Sequence, residues 1–398
     1  MKKHFCFFGF FLLQSSALFA QIVNDGVKLT IEKDALLYVN GTYYHKEGEI
    51  LNNGQMVLEG NGQWDNYGSN KVFAPASVGT VEFNAVNLAF AGYTTNFPHL
   101  VLKGSGIYDL KAKVEVRLTL NIEDAEIRVA APEALTLLNE SPLSLRRNKG
   151  FINTSLGVEG SFLRSMKADE AYLFPMGTKT MMRFVVLKPK DKSENAVAVS
   201  FIDKDPSAAG YSRLSKTNTV TEVNDQYYHI LKRMSGTSGM DAMFQVSPTE
   251  KFSSVVTWVR NIQWDRALSA TVQNNNAFLP ELSQAFLHKN ADLPLANNVA
   301  FAFGQITNAG PLSFYNAFSP DGDGKNDTWE VKNIDLFPDN DLKIFDRSGN
   351  LVHRVNGYSS AKFWDGQNAT SGTYVYILRV KIDGADQYFK GVITMVKN

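Results

Sequence analysis

Asp321, Asp323 and Asp327 crowd into the stretch NAFSPDGDGKNDTW, Asn316 to Trp329. Hard carboxylate oxygens at this spacing suit calcium, and the three fall at positions 1, 3 and 7 of a calcium loop. Lys325 can offer its backbone carbonyl at position 5. Position 6, however, is Asn326 where glycine is usual, and position 12 is Lys332 where a bidentate glutamate is required. Glu330 is displaced from that place by two residues. The plainer reading is a loop of turns, in which Asp and Asn side chains bond nearby backbone while Gly322 and Gly324 relieve it. The incomplete ligand set favours turns, with calcium as an optional brace.

Other chemistry has weaker support. Five histidines follow the N-terminal segment: His45, His99, His229, His288 and His353. None is spaced for a local zinc site. In HKEGE, the residues His45, Glu47 and Glu49 would share one face of a strand, most simply a solvated one. No G-x-S-x-G elbow or Walker loop is present. Asp203 and Asp205 in FIDKDPSAAG read as a turn, because a hydrolytic carboxylate pair is defined by distance in the fold. The expectation is a protein that is not an enzyme and requires no cofactor.

The elements that position these groups begin with MKKHFCFFGFFLLQSSALFAQ. A Lys2-Lys3 start, an apolar run from Phe5 to Leu13 and small residues to Ala20 are the layout of a secretory signal peptide, 1–20. The apolar run is too short to span a bilayer, which takes about 20 residues. The one cysteine, Cys6, lies inside this segment, so the exported chain has no disulfide to hold it and relies on packed cores. The 40 basic and 40 acidic residues balance, which argues against nucleic acid as a partner.

Aromatics are abundant, with 27 Phe, 15 Tyr and 5 Trp, and Gly and Asn separate short apolar runs. That mixture predicts an all-β chain. In the region 21–166, alternating runs such as VKLTIEKDALLYV, GTVEFNAVNLAFAG and KVEVRLTLNIEDAEIRVA turn at Asn-Gly, Gly-Asn and Gly-Ser pairs. GEILNNGQMVLEGNGQWDN and HLVLKGSGIYDLKAKVEVRLTLN read as worn copies of one unit. The expected architecture there is a parallel β-helix or solenoid, with an irregular sandwich as the rival. Residues 167–306 predict an antiparallel β-sandwich with Trp258 and Trp264 in its core. The most helix-like piece is Pro280 to Asn290, PELSQAFLHKN. A linker, 307–312, precedes a small C-terminal β-sandwich, 313–398, whose strands VYILRV and YFKGVITMV form a hairpin turning at Asp383-Gly384.

Motifs spread along this last module carry a family resemblance. They are NAFSPDGDGKNDTW, then LFPDNDLKIFDRSGNLVHRVNGY from Leu336 to Tyr358, then WDG at Trp364 to Gly366, SGTYVYILRV from Ser371, and YFKGVITMVKN. The module resembles the gliding-motility-associated C-terminal domain of Bacteroidota, the type B sorting domain of the type IX secretion system. Relatives usually have Trp where Ser348 stands and often Asn at Asp346, and tend to have Leu-Pro where this chain has Thr370-Ser371. The resemblance implies Sec export followed by passage through the type IX secretion translocon. It also implies retention at the surface by an outer-membrane barrel of the PorP/SprF family. Matching the motifs residue by residue, the sorting signal involves Asp321, Gly322, Asp323, Gly324, Asn326, Asp327, Arg347, Gly349, Asn350, Trp364, Asp365 and Gly366. Tyr374, Tyr376, Tyr388 and Phe389 are rival anchors, since aromatics dominate interface hot spots, although strand aromatics mostly fill cores. The passenger reads as adhesin-like or structural, meeting a glycan or surface-protein ligand. The alternatives are an accessory subunit of an outer-membrane complex and a carbohydrate-binding or carbohydrate-degrading protein.

Overall fold

The computed structural model describes residues 20–68, 72–130, 134–156, 160–217, 219–247, 249–259, 261–267, 271–273, 284–306, 312–382 and 385–397. The signal segment up to residue 19, linker residues 307–311, and the Asp383-Gly384 turn lie outside the described residues. Two compact units partition the chain, Met1–Ser215 with Glu222–Gln305, and Lys216–Thr221 with Ile306–Asn398.

The first unit begins as a solenoid. Its strands are β1 (Ala20–Ile31), β2 (Leu36–Asn52), β3 (Gln55–Glu59), β4 (Gly62–Asn66), β5 (Thr80–Asn84), β6 (Asn87–Gly92), β7 (Thr95–Leu102), β8 (Ile107–Leu110), β9 (Val114–Asn121), β10 (Glu126–Val129), β11 (Ala134–Leu137), β12 (Leu145–Arg146) and β13 (Phe151–Asn153). From β3 to β11 pairing is parallel and skips one strand each time, and β10 then pairs with β13. β3, β5, β7, β9 and β11 stack into one face, while β4, β6, β8, β10 and β13 stack into the other. Each coil therefore contributes one strand to each face. The interior is a ladder of rings around fully buried Trp64, which lies 4.5 Å from Tyr43, 5.9 Å from Phe73 and 5.3 Å from Phe97 between centroids. Glycines sit where a coil comes closest to the one before it. A side chain at Gly106 would collide with the carbonyl oxygen of Ala85.

The solenoid passes into antiparallel structure through β14 (Ser161–Met166), which pairs parallel with β11 and antiparallel with the later β17. After β14 come β15 (Tyr172–Phe174), β16 (Val185–Pro189), β17 (Asn195–Ile202), β18 (Val220–Val223), β19 (Tyr228–Ser235), β20 (Met240–Gln245), β21 (Ser254–Val259), β22 (Gln263–Arg266), β23 (Thr271–Gln273), β24 (Ala285–Ala291) and β25 (Asn298–Ile306). One sheet continues the solenoid through β17, β19, β25, β21 and β22, and the other runs β15-β16-β20-β24-β23. Rings interlock between them: Phe244 lies 5.2 Å from Phe301, and Phe286 lies 5.0 Å from Phe303. One continuous apolar cluster fills both solenoid and sandwich.

Three expectations need correcting here. Residues 285–290 of the helix-like piece lie in a strand, β24, while 280–283 lie outside the described residues. Pairing on both sides, to β20 and to β23, overrides the local helical spacing. The faces of His45 and Glu47 also differ. Asn24 pairs with His45, but the next residue, Asp25, pairs with Glu47, so Lys46 is an extra residue that flips the alternation. His45 turns in and Glu47 turns out. Finally, Trp264 is fully buried but Trp258 only half so, stacked edge-on to it at 5.4 Å.

The second unit carries β26 (Ser313–Phe314), β27 (Ala317–Phe318), β28 (Val331–Lys332), β29 (Asn340–Phe345), β30 (Leu351–Asn356), β31 (Gly372–Ile382) and β32 (Ala385–Met395). Five strands form a sheet in the order β27-β32-β31-β29-β30, and β26 pairs with β28. The expected hairpin is β31 with β32, in unbroken register from Gly372 opposite Met395 to Ile382 opposite Ala385. Trp329 and Phe314 pack on Tyr376 at 4.8 and 5.2 Å, so the short ladder covers the inner face of the sheet.

Candidate functional site

Register brings the motif segments of the second unit to one end of its sheet. Phe318 lies beside Met395, Gly372 lies opposite Met395, and Phe345 lies opposite Val375. The loop that leaves Phe318, the turn that follows Phe345 and the segment that precedes Gly372 therefore leave the sheet at the same end.

The first loop is a chain of side-chain-to-backbone turns. Asp327 accepts the N–H of Gly322 on one carboxylate oxygen (2.7 Å) and that of Gly324 on the other (2.8 Å). Asp321 accepts the N–H of Asp323 (3.2 Å) and the Ser319 hydroxyl (3.0 Å), and Asp323 accepts the N–H of Lys325 (2.8 Å). Asn326 has φ +56°, so it takes the left-handed backbone that the missing glycine would have supplied. Asp321, Asp323 and Asp327 each offer an oxygen, and these lie within 4.8 Å of one another. Such a cluster of hard oxygens can coordinate a divalent ion such as calcium.

The second loop is the β29–β30 turn. Asp346 accepts the N–H groups of Ser348 and Asn350 (both 2.9 Å) on one oxygen and the Asn350 side-chain amide (2.9 Å) on the other. These bonds, led by the Asn350 side chain, hold its carboxyl below the ordinary range. Arg347, Gly349 and Asn350 are exposed at the tip.

The third segment divides. Trp364 is buried, its ring 5.3 Å from Phe318 and 5.2 Å from Tyr374. Its N–H donates to the Tyr358 hydroxyl (3.1 Å), its carbonyl accepts from Trp329 N–H (2.7 Å), and the Tyr358 hydroxyl donates to the Trp329 carbonyl. Gly366 has φ +70° and packs where a side chain would meet Met395 and Phe318. Of the three residues Trp364 to Gly366, only Asp365 faces solvent, accepting the Gln367 N–H at 3.0 Å. Of the aromatic anchors, Tyr374 and Tyr376 are core, Phe389 is half-buried against Phe314 at 5.3 Å, and Tyr388 is exposed. Tyr358 as the hub joining two tryptophans was invisible in the sequence, because its partners lie 29 and 6 residues away.

In the first unit, Asp205 is paired, and His45 and His229 are buried. Asp205 caps a short 3-10 turn through Ser207 N–H (2.8 Å) and takes a forked contact from Arg213 (3.0, 3.0 and 2.8 Å), which leads in lowering its pKa. Asp203 is exposed. His45 is buried beside Tyr43, and burial lowers its pKa. His229 is buried among Phe201, Tyr227 and Phe244, with its Nε2 3.1 Å from the Arg183 carbonyl, and burial lowers its pKa to about 4.

Residues 312–395 fit the family model described as the CHU_C Type IX secretion signal domain. No curated protein and no solved structure matches the chain.

Proposed function

Because the C-terminal module is a type IX secretion signal domain, consistent with the gliding-motility-associated family, the chain is a type IX export substrate found at the cell surface in association with the outer membrane; from that premise we propose that residues 21–306 are a non-catalytic, adhesin-like passenger and that the loop end of the module is the surface read during export. The observation that carries the second half is the convergence of three sequence-distant motif segments on one end of one sheet. Buried Trp364 and Gly366 shape that end, while Asp321, Asp323, Arg347, Gly349, Asn350 and Asp365 are exposed on it. The reader is the translocon, and the retaining partner is a barrel of the PorP/SprF type. A non-catalytic passenger is supported by the engagement of Asp205 with Arg213 and the enclosure of His229. Stacked parallel strands give it long outer faces for a glycan or surface-protein ligand.

Deleting residues 313–398 and fractionating the cells tests the address. Retention of the truncated chain in the periplasm is expected, and normal surface amounts would reject it. A detergent pulldown of the full chain then addresses the passenger. Recovery of only the retaining barrel fits an adhesin-like protein, whereas a larger stoichiometric complex would reassign it as a subunit. Calcium as the brace of the first loop is checked by titrating the full chain against one carrying Asp321→Asn and Asp323→Asn. A calcium-dependent rise in melting temperature only in the unaltered chain is expected, and no rise in either rejects the brace.

A further inference from the structure

The β31–β32 ladder ends formally at Gly372 opposite Met395, yet the two chains stay joined beyond it. The N–H of Lys397 donates to the Ser371 hydroxyl (2.8 Å), and that hydroxyl lies 3.3 Å from the Lys397 carbonyl, so a side chain stands in for the next backbone pair. The Lys397 ammonium then reaches back across the loop. It donates to the carbonyls of Gly366 (3.0 Å) and Ala369 (2.8 Å), two ends of a turn already closed by Ala369 N–H to the Gly366 carbonyl (3.1 Å). Tyr374 holds the same segment from the other side, its hydroxyl donating to the Thr370 carbonyl at 2.6 Å. One residue earlier, Val396 N–H donates to the Phe318 carbonyl (3.1 Å), at the point where the aspartate loop leaves the sheet. Residues 396 and 397 therefore tie together two of the three converging segments.

This arrangement uses Ser371, at a place where the sequence departs from the pattern it otherwise resembles. A proline there could supply neither the hydroxyl nor its two contacts. The ammonium contacts are charge-assisted bonds to neutral carbonyls and have no carboxylate in them, so the cation holds a turn and not an ion pair.

We infer that Lys397 and Ser371 are positioning residues of the export signal, fixing segment 366–371 to the strand that carries Phe318 so that two loops present one surface. The inference rests on the loop end being the surface read during export. Its test uses the full chain in four forms: unaltered, Lys397→Met, Lys397→Arg and Ser371→Ala. Two readouts are taken, amide hydrogen exchange at 366–371 and the fraction of chain reaching the surface of intact cells. Lys397→Met should speed exchange at 366–371 by about tenfold, the scale of one bond to a charged group, without lowering the melting temperature of the module core. It should also reduce surface delivery several-fold. Ser371→Ala should do the same more weakly, and Lys397→Arg should restore both. Faster exchange with unchanged delivery would overturn both the inference and the reading of the loop end. Unchanged exchange with reduced delivery would overturn the inference alone, since Lys397 would then act by direct contact with the apparatus.

Discussion

The solenoid and the C-terminal module use Asx side chains for the same local task, accepting backbone N–H groups, but at opposite depths. In the solenoid, Asn52, Asn66 and Asn96 are buried and tie one coil to the next. Asn52 donates to the Thr80 carbonyl (3.1 Å) and accepts Gly54 N–H (3.2 Å). Asn66 donates to the Thr94 carbonyl (2.9 Å), and Asn96 brackets Phe73 by accepting its N–H (3.3 Å) and donating to its carbonyl (3.0 Å). In the module, Asp321, Asp323 and Asp346 close turns at or near the surface. A neutral amide suits the interior because it satisfies a donor and an acceptor without a charge to desolvate. A carboxylate suits the surface because it accepts twice and still presents charge outward. Burial thus separates Asx residues that hold the fold from those that shape what the fold shows.

The largest expected effect is inside. Asn96→Leu leaves both Phe73 backbone groups without these partners, at a cost of about 2–4 kcal/mol. A urea midpoint that does not move would show that the Asn96 bonds do not hold the coils together. Acid should act next, and on different regions in turn. The folded pKa of His229, about 4, lies below its unfolded value near 6.5, so the unfolded chain binds a proton first as pH falls. Its contribution is complete above pH 6.5 and declines towards pH 4, by about 3 kcal/mol. Replacement by Gln should flatten that slope in melting temperature against pH, and an unchanged slope would discount His229. Asp346 has the opposite chemistry and a lowered pKa, so its turn is intact above the ordinary carboxylate range and loosens only as pH falls below it. Exchange at the Ser348 and Asn350 amides should thus rise only after the His229 step is over. The smallest effect on stability belongs to Asp327→Ala, within about 1 kcal/mol because the loop is solvated. Its effect on surface delivery should nevertheless exceed that of Asn96→Leu, and the reverse order would show that the aspartate loop does not shape the exported surface.

How much could be read in advance follows from locality. The turn phrases of the module, and the alternation in β31 and β32, are written in adjacent residues. So is the left-handed tolerance of Asn326. The solenoid coil was legible as strands and corners but not as a period, because successive coils differ in length: Gln55 lies opposite Thr80, and Thr80 opposite His99. The same limit explains the Lys46 bulge, where one extra residue reversed the faces of His45 and Glu47. Arg164 gave no signal at all. It is fully buried, bonds the carbonyls of Leu173 (2.9 Å), Ser141 (3.3 Å) and Pro142 (3.1 Å), and burial lowers its pKa to about 10. On a strand that otherwise alternates, an arginine would be placed in water.

By itself the sequence determined the all-β class, the chemistry of the turns and the export address, since each depends on neighbours within a few residues. Tertiary structure decided which aromatics are core, as at Tyr374 and Tyr376, and that Phe318, Gly372 and Met395 meet at one end of a sheet. Those outcomes depend on strand register between distant segments. Register is set by the sum of side-chain packing across the whole sheet, and no short stretch contains that sum.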